Sequence, residues 1–201
     1  MAKKVRIGIQ GGKGSFNEEA CLFYAQEHKL KNYEIVYLYT ADRVMKALNA
    51  GTIDRGICAI HNSVGGIVWE TANALGTFGA TITDKFAIII NHCLLVKPGK
   101  KVSDLTVIMS HPQALAQTAA TRAKKYPGMK FESGKGILVD QATAAKSLGE
   151  GKLPDTVGVI ASKVCADLYD LTILAKGLQD SKNNLTTFIF AKKNTGRYSP
   201  K

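Results

Sequence analysis

The sequence predicts an α/β fold in two lobes, and two observations support this. Strand-like and helix-like segments alternate along nearly the whole chain of 201 residues, which is typical of largely parallel sheets covered by helices. The alternation is broken by a strand-rich stretch near residues 80–85 and by a loop near residues 180–185. We interpret these breaks as two crossings between lobes. Lobe one is expected to comprise residues 1–80 and 185–201, and lobe two residues 81–184, with a cleft between them.

The elements of the first half follow from periodicity and helix caps. The apolar strand 5–9 leads through a glycine-rich loop into a helix that Ser15 and Glu18 begin as a capping box. A second helix begins at Thr40 and ends at Gly51. The pattern also predicts strands at 35–38 and 55–60 and a helix at about 67–75.

The second half continues this alternation. Ser110-His111-Pro112-Gln113 is a second capping box with proline in the first turn, and we expect its helix to continue to Pro127. Another helix begins at Asp140 or Thr143. The pattern further predicts a strand-rich stretch at 82–96, strands at 105–109, 157–160, 171–175 and 187–192, and a helix at 162–169.

The composition is that of an ordinary globular protein. Hydrophobic residues make up 45% and charged residues 21% of the chain, which excludes wholesale disorder. The longest apolar stretch, residues 86–90, is followed at once by Asn91-His92 and is too short to span a membrane. The first residues lead directly into a strand without an apolar signal core, so we expect a cytoplasmic protein with no membrane partner.

The excess of basic residues is either a solvated basic surface or an attraction for a small anionic substrate, and it does not indicate nucleic-acid binding. The chain has 27 Lys and Arg against 16 Asp and Glu, a net charge of +11. The excess is spread along the chain and includes no recognisable nucleic-acid-binding module. A basic surface of this kind attracts small anions.

The cysteines and histidines show no metal-ligand spacing. The four cysteines lie far apart, and His92-Cys93 is an isolated adjacency. We therefore expect buried thiols and no metal site.

Three stretches carry residues able to do chemistry, each with a structural alternative. The loop Gly11–Ser15 is either an anion cradle or a plain turn, and Asn62-Ser63 either serves a site or caps the next helix. His111 is either a base or a first-turn residue. Gln113 and Gln117, one turn apart, either present amides to a ligand or face solvent. Thr186-Thr187 supplies either reactive or structural hydroxyls.

Together these stretches resemble the catalytic domain of prephenate dehydratase over nearly the whole chain. Residues 110–117 reproduce the motif S-H-P-Q-A-L-x-Q in full. Five further stretches match in the same order: 11–17 (G-P-x-G-[ST]-F-S), 54–66 (D-x-G-x-x-P-x-E-N-S-x-x-G), 91–95, 143–145 (T-x-A-A) and 179–188 (D…N-x-T-R-F).

The resemblance implies two α/β lobes with a cleft, arranged like a type-II periplasmic binding protein, and usually a homodimer. It implies a carbon-oxygen lyase that converts prephenate to phenylpyruvate, with loss of water and carbon dioxide, late in phenylalanine biosynthesis. No cofactor or metal is expected. The regulatory ACT domain that often follows is absent from the sequence, so we do not expect feedback by phenylalanine through such a domain.

The resemblance also assigns roles to residues. It makes Thr186 the hydrogen-bond donor or acid to the leaving hydroxyl, and helix N-termini at Ser15 and Ser110 suit the carboxylates of the substrate. The candidate substrate-binding residues are Lys13, Ser15, Asn62, Ser63, Ser110, Gln113, Thr143 and Thr187.

Three positions depart from the family pattern. His61 replaces the acid before Asn-Ser, Thr187 replaces the arginine of T-R-F, and Gly12 replaces a proline. Lys13 is a candidate substitute for the arginine, and His61 is a second catalytic candidate, as a cation or as the acid. These departures leave three alternatives open: a prephenate decarboxylase, an arogenate dehydratase, or a non-catalytic protein that binds a small carboxylate.

Overall fold

The structure, a computed structural model, describes residues 4–194. Residues 1–3 and 195–201, which the sequence analysis assigned to lobe one, lie outside the described residues. The strands are β1 (Val5–Ile9), β2 (Tyr33–Tyr37), β3 (Arg55–Asn62), β4 (Gly66–Ile67), β5 (Thr81–Ile89), β6 (Cys93–Val96), β7 (Val107–Ser110), β8 (Lys130–Ser133), β9 (Val157–Ala161), β10 (Thr172–Ala175) and β11 (Leu185–Lys192). The α-helices are α1 (Phe16–Glu27), α2 (Ala41–Ala50), α3 (Trp69–Phe78), α4 (Pro112–Gln117), α5 (Ala119–Lys125), α6 (Gln141–Gly149) and α7 (Val164–Leu168).

The described chain folds into two compact α/β units, each with its own sheet, and this confirms the predicted fold class. Unit 1 contains residues 4–12, 16–88 and 185–194, and unit 2 contains residues 13–15 and 89–184. The sequence placed the first crossing after residue 80. The structure places it after Ile88, because β5 belongs to the sheet of unit 1 beside β11.

The sheet of unit 1 has the strand order β2-β1-β3-β11-β5, with the short β4 paired to β3. Strands β1, β2 and β3 are parallel, and β11 runs antiparallel to β3. Helices α2 and α3 cover one face, where Met45 and Leu48 pack with Ile189. On the other face the ring of Tyr24 from α1 stacks on Phe190, with the ring centroids 4.2 Å apart.

Helix α2 shows how local sequence sets its bounds. The Thr40 side chain accepts from the amide of Arg43 at the N-terminus, and Gly51 ends the helix in the left-handed conformation, with φ of 69°. A residue with a side chain is strained at this φ, whereas glycine is not. Both caps were predicted from the sequence.

The sheet of unit 2 has the strand order β10-β6-β9-β7-β8. Strands β7, β8 and β9 are parallel, while β6 and β10 are antiparallel additions. The carboxyl ends of β7 and β9 therefore lie side by side, followed by His111 and Ser162. Helix α6 packs on this sheet through Ala144, Ala145 and Leu148.

The helix expected to run from Pro112 to Pro127 is divided into α4 and α5, so that prediction was wrong. Thr118, between them, donates its hydroxyl to the carbonyl of Ala114 at 2.8 Å. The carboxylate of Asp180 accepts from the amides of Ala120 and Thr121 at 2.9 and 2.7 Å. A new helix start, capped by a residue distant in sequence, thus replaces the continuous helix.

Two further local predictions differ from the structure. Ser110 does not cap α4. The cap is His111, whose Nδ1 accepts from the amide of Gln113 at 3.1 Å. Strands β4 and β8 were also missed, because β4 has only two residues and β8 has only four, of which one is apolar.

Candidate active site

In unit 1 the structure brings together Asn62 and Thr186, which are direct partners of the antiparallel pair β3 and β11. The Asn62 Nδ2 donates to the Thr186 Oγ1 at 2.9 Å and also lies 3.2 Å from the carbonyl oxygen of Leu185. Both Asn62 and Thr186 are buried, with 1% and 8% of their surface exposed. Thr186 is therefore held by a side chain that the sequence analysis had already selected.

The orientation of the Asn62 amide is set by the turn that follows β3. Its Oδ1 accepts from the amides of Val64 and Gly65 at 2.9 and 2.7 Å. Because this oxygen serves the turn, the Nδ2 is the atom that faces Thr186. Ser63 joins the same arrangement, since its Oγ accepts from the amide of Leu185 at 3.0 Å.

This geometry leaves Thr186 suited to donate a hydrogen bond. A hydroxyl has one proton and two lone pairs, and the bond from Asn62 occupies one lone pair of Thr186 rather than its proton. A hydroxyl that accepts a hydrogen bond becomes a better donor through polarisation. The site can therefore present an O–H group to a leaving oxygen in a largely dehydrated setting.

His61 and Thr187 do not join this pair. They are partners of each other in the same ladder, and successive side chains on a strand point to opposite faces. The register of the pair shifts between Thr187 and Phe188, and Thr187 is half-buried whereas His61 is exposed. The resemblance selected His61 and Thr187 because they replace the acid and the arginine of family motifs, and the structure pairs them with each other rather than with Thr186.

In unit 2 the candidate residues surround the carboxyl ends of β7 and β9. The Ser110 hydroxyl donates to the carbonyl of Ile160 at 3.0 Å and accepts from the Gln141 Nε2 at 3.0 Å. Its proton is thus used within the unit, so Ser110 has none to offer a carboxylate. Gln141, which the sequence analysis did not select, ties the two strand ends together through Ser110 and through Ile160 at 2.8 Å.

Thr143 and Gln113 differ in how they are placed. The Thr143 hydroxyl donates to the Asp140 Oδ2 at 2.7 Å, and the same oxygen accepts from the amide of Thr143. Asp140 is therefore the N-cap of α6, and Thr143 completes that cap. Gln113 is half-buried in the first turn of α4, where its amide group can still reach a ligand.

The loop Lys13–Ser15 belongs to unit 2, although the residues on both sides belong to unit 1. Lys13 is exposed and Ser15 is buried. The loop carbonyls accept hydrogen bonds from side chains that follow β9, including those of Ser162 and Tyr169. Sequence reasoning selected the loop but not the residues that hold it.

A buried polar network in unit 2 was also missed. The Gln117 Oε1 accepts from the Asn184 Nδ2 at 2.9 Å and lies 2.8 Å from the His92 Nε2. Since that oxygen can only accept, the His92 Nε2 carries the proton. Burial lowers the pKa of His92, and the hydrogen bond with Gln117 only partly offsets this. The imidazole is therefore neutral, and Gln117 neither faces solvent nor awaits a ligand.

All four cysteines are buried thiols. Burial, together with the charge of Glu18, raises the pKa of Cys21 to about 12, which keeps the thiol protonated. Within residues 4–194 no group of three or more His, Cys, Asp and Glu is placed to hold a metal ion. No helix in this part of the chain has both the length and the apolar character needed to cross a membrane.

Comparison with known proteins identifies the family of this chain. Residues 7–195 match the family model described as prephenate dehydratase. The chain belongs to the prephenate dehydratase family. The solved prephenate dehydratase of Arthrobacter aurescens, in complex with L-Phe, has the same fold, with a TM-score of 0.81 and 24% identity over 96% of this chain and 61% of that one.

Two relatives with similar sequences come from plants. The arogenate dehydratase/prephenate dehydratase 1 of Arabidopsis thaliana is 35% identical over 92% of this chain and 44% of its own length. The arogenate dehydratase 2 of Petunia hybrida is 33% identical over the same shares of the two chains. This chain thus spans less than half the length of these relatives.

Proposed function

We propose that this chain is a prephenate dehydratase, a carbon-oxygen lyase that forms phenylpyruvate in phenylalanine biosynthesis. The observation that carries the proposal is the pair Asn62–Thr186. The threonine of the family's closing motif is buried, and the asparagine of another family motif donates to it at 2.9 Å. Two motifs far apart in sequence thus meet at the one group that the reaction requires.

The reaction needs little more from the enzyme than binding of the substrate and one hydrogen-bond donor to the leaving hydroxyl. The bond between the ring and its carboxylate breaks, and the electron pair enters the ring as carbon dioxide departs. The carbon–oxygen bond of the ring hydroxyl breaks at the opposite carbon, and that oxygen takes up one proton and leaves as water. No external oxidant or reductant is needed, because the released electron pair completes the aromatic ring. Thr186 would stabilise the departing oxygen through its O–H group.

The substrate carries two carboxylates, and the basic chain suits such an anion. The hydroxyl protons of Ser110 and Thr143 are used within unit 2. Lys13, which is exposed on the glycine loop, is therefore the leading candidate for a carboxylate partner, and Gln113 is the second. Neither requires a cofactor or a metal, and we propose that the reaction proceeds without either.

Arogenate is the second candidate substrate, and the names of the relatives favour it. Arogenate has an ammonium group where prephenate has a keto group, and the rest of the reaction is unchanged. The proposed role of Thr186 is the same for both substrates, because both lose the same hydroxyl.

The test is an assay of the purified protein with each substrate in turn. Phenylpyruvate or phenylalanine is identified by mass and ultraviolet spectrum, with and without a chelator. Turnover of prephenate that resists the chelator supports the proposal, and preference for arogenate assigns the second candidate. A folded protein that gains thermal stability with prephenate but releases no product is a carboxylate-binding protein instead. A product that retains the ring hydroxyl identifies a decarboxylase.

We further propose a cytoplasmic homodimer that binds no nucleic acid and no membrane. The basic residues are spread along the sequence rather than clustered in one segment. This supports the proposal that the protein binds no nucleic acid. The dimer rests on the family alone. Light scattering coupled to size-exclusion chromatography decides the oligomeric state, and fractionation of the producing cells decides the location.

A further inference from the structure

The Lys13–Ser15 loop is held by three side chains of unit 2. Tyr169 donates its hydroxyl to the carbonyl of Lys13 at 2.6 Å. Ser162 donates to the carbonyl of Gly14 at 2.5 Å, and the Cys165 Sγ lies 3.3 Å from the same oxygen. Two consecutive carbonyls of the loop thus have side-chain donors.

The side chains that contact the loop, Ser162 and Cys165, are closely packed against it. Ser162 is 2% exposed and Cys165 is fully buried. A Cβ on Gly14 would lie 2.8 Å from the Cys165 Sγ, and Gly14 also has φ of +87°. Position 14 therefore admits only glycine, for space and for conformation. The loop rests against a surface with no room for it to shift inward.

Holding these carbonyls restrains the backbone from which the Lys13 side chain projects. Each peptide unit is planar, so the anchored oxygens set the two peptide planes that follow Lys13 and Gly14. This restricts the directions that the Cα–Cβ bond of Lys13 can take, and Lys13 itself is exposed. A fixed base lowers the entropy that a flexible lysine loses when its ammonium binds an anion.

We propose that Tyr169 is a positioning residue, which acts through the loop to direct the Lys13 ammonium to a carboxylate of the substrate. This rests on the proposed function. Lys13 needs such support because the ammonium of a flexible lysine is a less defined partner for a carboxylate than a guanidinium. Tyr169 acts on substrate binding alone, since its hydroxyl touches the Lys13 backbone and no reacting atom.

A double-mutant cycle tests this assignment. Tyr169→Phe removes only the hydroxyl, and we expect it to raise KM roughly three- to tenfold with little change in kcat, as for the loss of one hydrogen bond. Lys13→Met removes the ammonium and raises KM further. In the Lys13→Met background, Tyr169→Phe should change KM no more. Tyr126→Phe, at a tyrosine of unit 2 whose ring packs against Phe131, is the matched control and should leave both constants unchanged.

Three kinetic results would overturn the proposal. The first is the same fold-increase in KM from Tyr169→Phe whether or not Lys13 is present, which would mean that Tyr169 acts independently of the ammonium. The second is a fall in kcat alone, and the third is no change in either constant.

Amide hydrogen exchange separates failure of this proposal from failure of the proposed function. Tyr169→Phe should accelerate exchange in the peptide covering residues 11–16, and Tyr126→Phe should not. If the wild-type protein turns over neither substrate, the proposed function fails, whereas faster exchange still supports the anchoring of Lys13. Unchanged exchange overturns the anchoring whatever the activity.

Discussion

His61 and Thr187 are direct cross-strand partners in the antiparallel pair of β3 and β11. They are also two of the positions at which this chain departs from its family's motifs, which have an acid and an arginine there. An acid and an arginine at opposed positions form an ion pair across the strands. The two departures are therefore one structural change, in which a charged pair is replaced by an imidazole and a hydroxyl.

Restoring both residues should restore the pair. Thr187→Arg alone places a guanidinium opposite His61 and should lower the free energy of unfolding. Adding His61→Glu should recover the loss, with a coupling energy of about 0.2–1 kcal/mol between the two substitutions. Urea unfolding of the two single variants and the double variant measures this coupling.

The same variants test whether position 187 reaches the substrate. Because Thr187 faces away from Thr186, Thr187→Arg alone should not lower KM. A clear decrease of KM in that variant would show that the new arginine binds a carboxylate directly.

Turnover should depend on the hydroxyl of Thr186. Thr186→Val keeps the shape of the side chain and removes the donor, so kcat should fall by about 2.7–4 kcal/mol in transition-state stabilisation, roughly a hundredfold or more. The Asn62 amide retains the carbonyl of Leu185, so the free energy of unfolding should change little. Thr186→Ser keeps the hydroxyl and should retain most of the activity. Thr187→Val is the matched control on the neighbouring residue, and an equal loss there would remove Thr186 from the mechanism.

Local sequence predicted local structure well in this chain. The caps at Thr40 and Gly51 are where the pattern placed them, and the N-cap of α6 is Asp140, one of the two starts that the pattern left open. Each of these caps depends on residues within one turn. The order of the motifs was likewise sufficient to name the family. The family motifs selected Asn62 and Thr186 separately, but nothing in the sequence predicted that they pair across 124 residues.

What the sequence could not show depends on contacts between distant residues. The break between α4 and α5 is set by Asp180, sixty residues from Ala120, and nothing near Thr118 signals it strongly. The attachment of Lys13 to unit 2 depends on Tyr169, 156 residues away. Ser110 and Thr143 were selected as ligands because they lie in family motifs at expected helix starts, and only the structure reveals the acceptors that their hydroxyls already serve.

Asp180 should stabilise the fold as a helix cap. Asp180→Ala removes the acceptor for the amides of Ala120 and Thr121, and such a loss costs about 1 kcal/mol. Asp167→Ala, at an exposed aspartate of α7, is the matched control and should cost less. Thermal unfolding at neutral pH compares the two, and equal effects would contradict a special role for Asp180.

The contribution of Asp180 should also disappear in acid. Burial alone would raise the pKa of Asp180, but the hydrogen bonds from Thr121 and Ala120 and the charge of Arg122 outweigh it and hold the pKa below its usual value. The stabilisation is therefore complete above the ordinary pKa of about 3.9 and is lost as pH falls through the lowered one. The difference between wild type and Asp180→Ala should shrink over that interval.

His92 should make the fold sensitive to mild acid. The imidazole is 2% exposed, and burial lowers its pKa despite the hydrogen bond with Gln117. The unfolded chain, with an ordinary histidine pKa of about 6.5, therefore takes up a proton that the folded state resists. The free energy of unfolding should be steady above that pH and decline as pH falls below it. His92→Leu should flatten this decline, whereas the exposed His28→Asn should leave it in place.

A substitution at Gln117 tests the hydrogen bond that it accepts from His92. Gln117→Leu leaves the His92 Nε2 and the Asn184 Nδ2 without the oxygen that accepts from both. A buried donor left without its acceptor costs about 1–3 kcal/mol, so this variant should be less stable than wild type at every pH. In the His92→Leu background only the Asn184 donor is stranded, and Gln117→Leu should then cost less. Equal costs in the two backgrounds would show that the imidazole does not donate to Gln117, and the neutral Nε2–H form assigned to His92 would then be wrong.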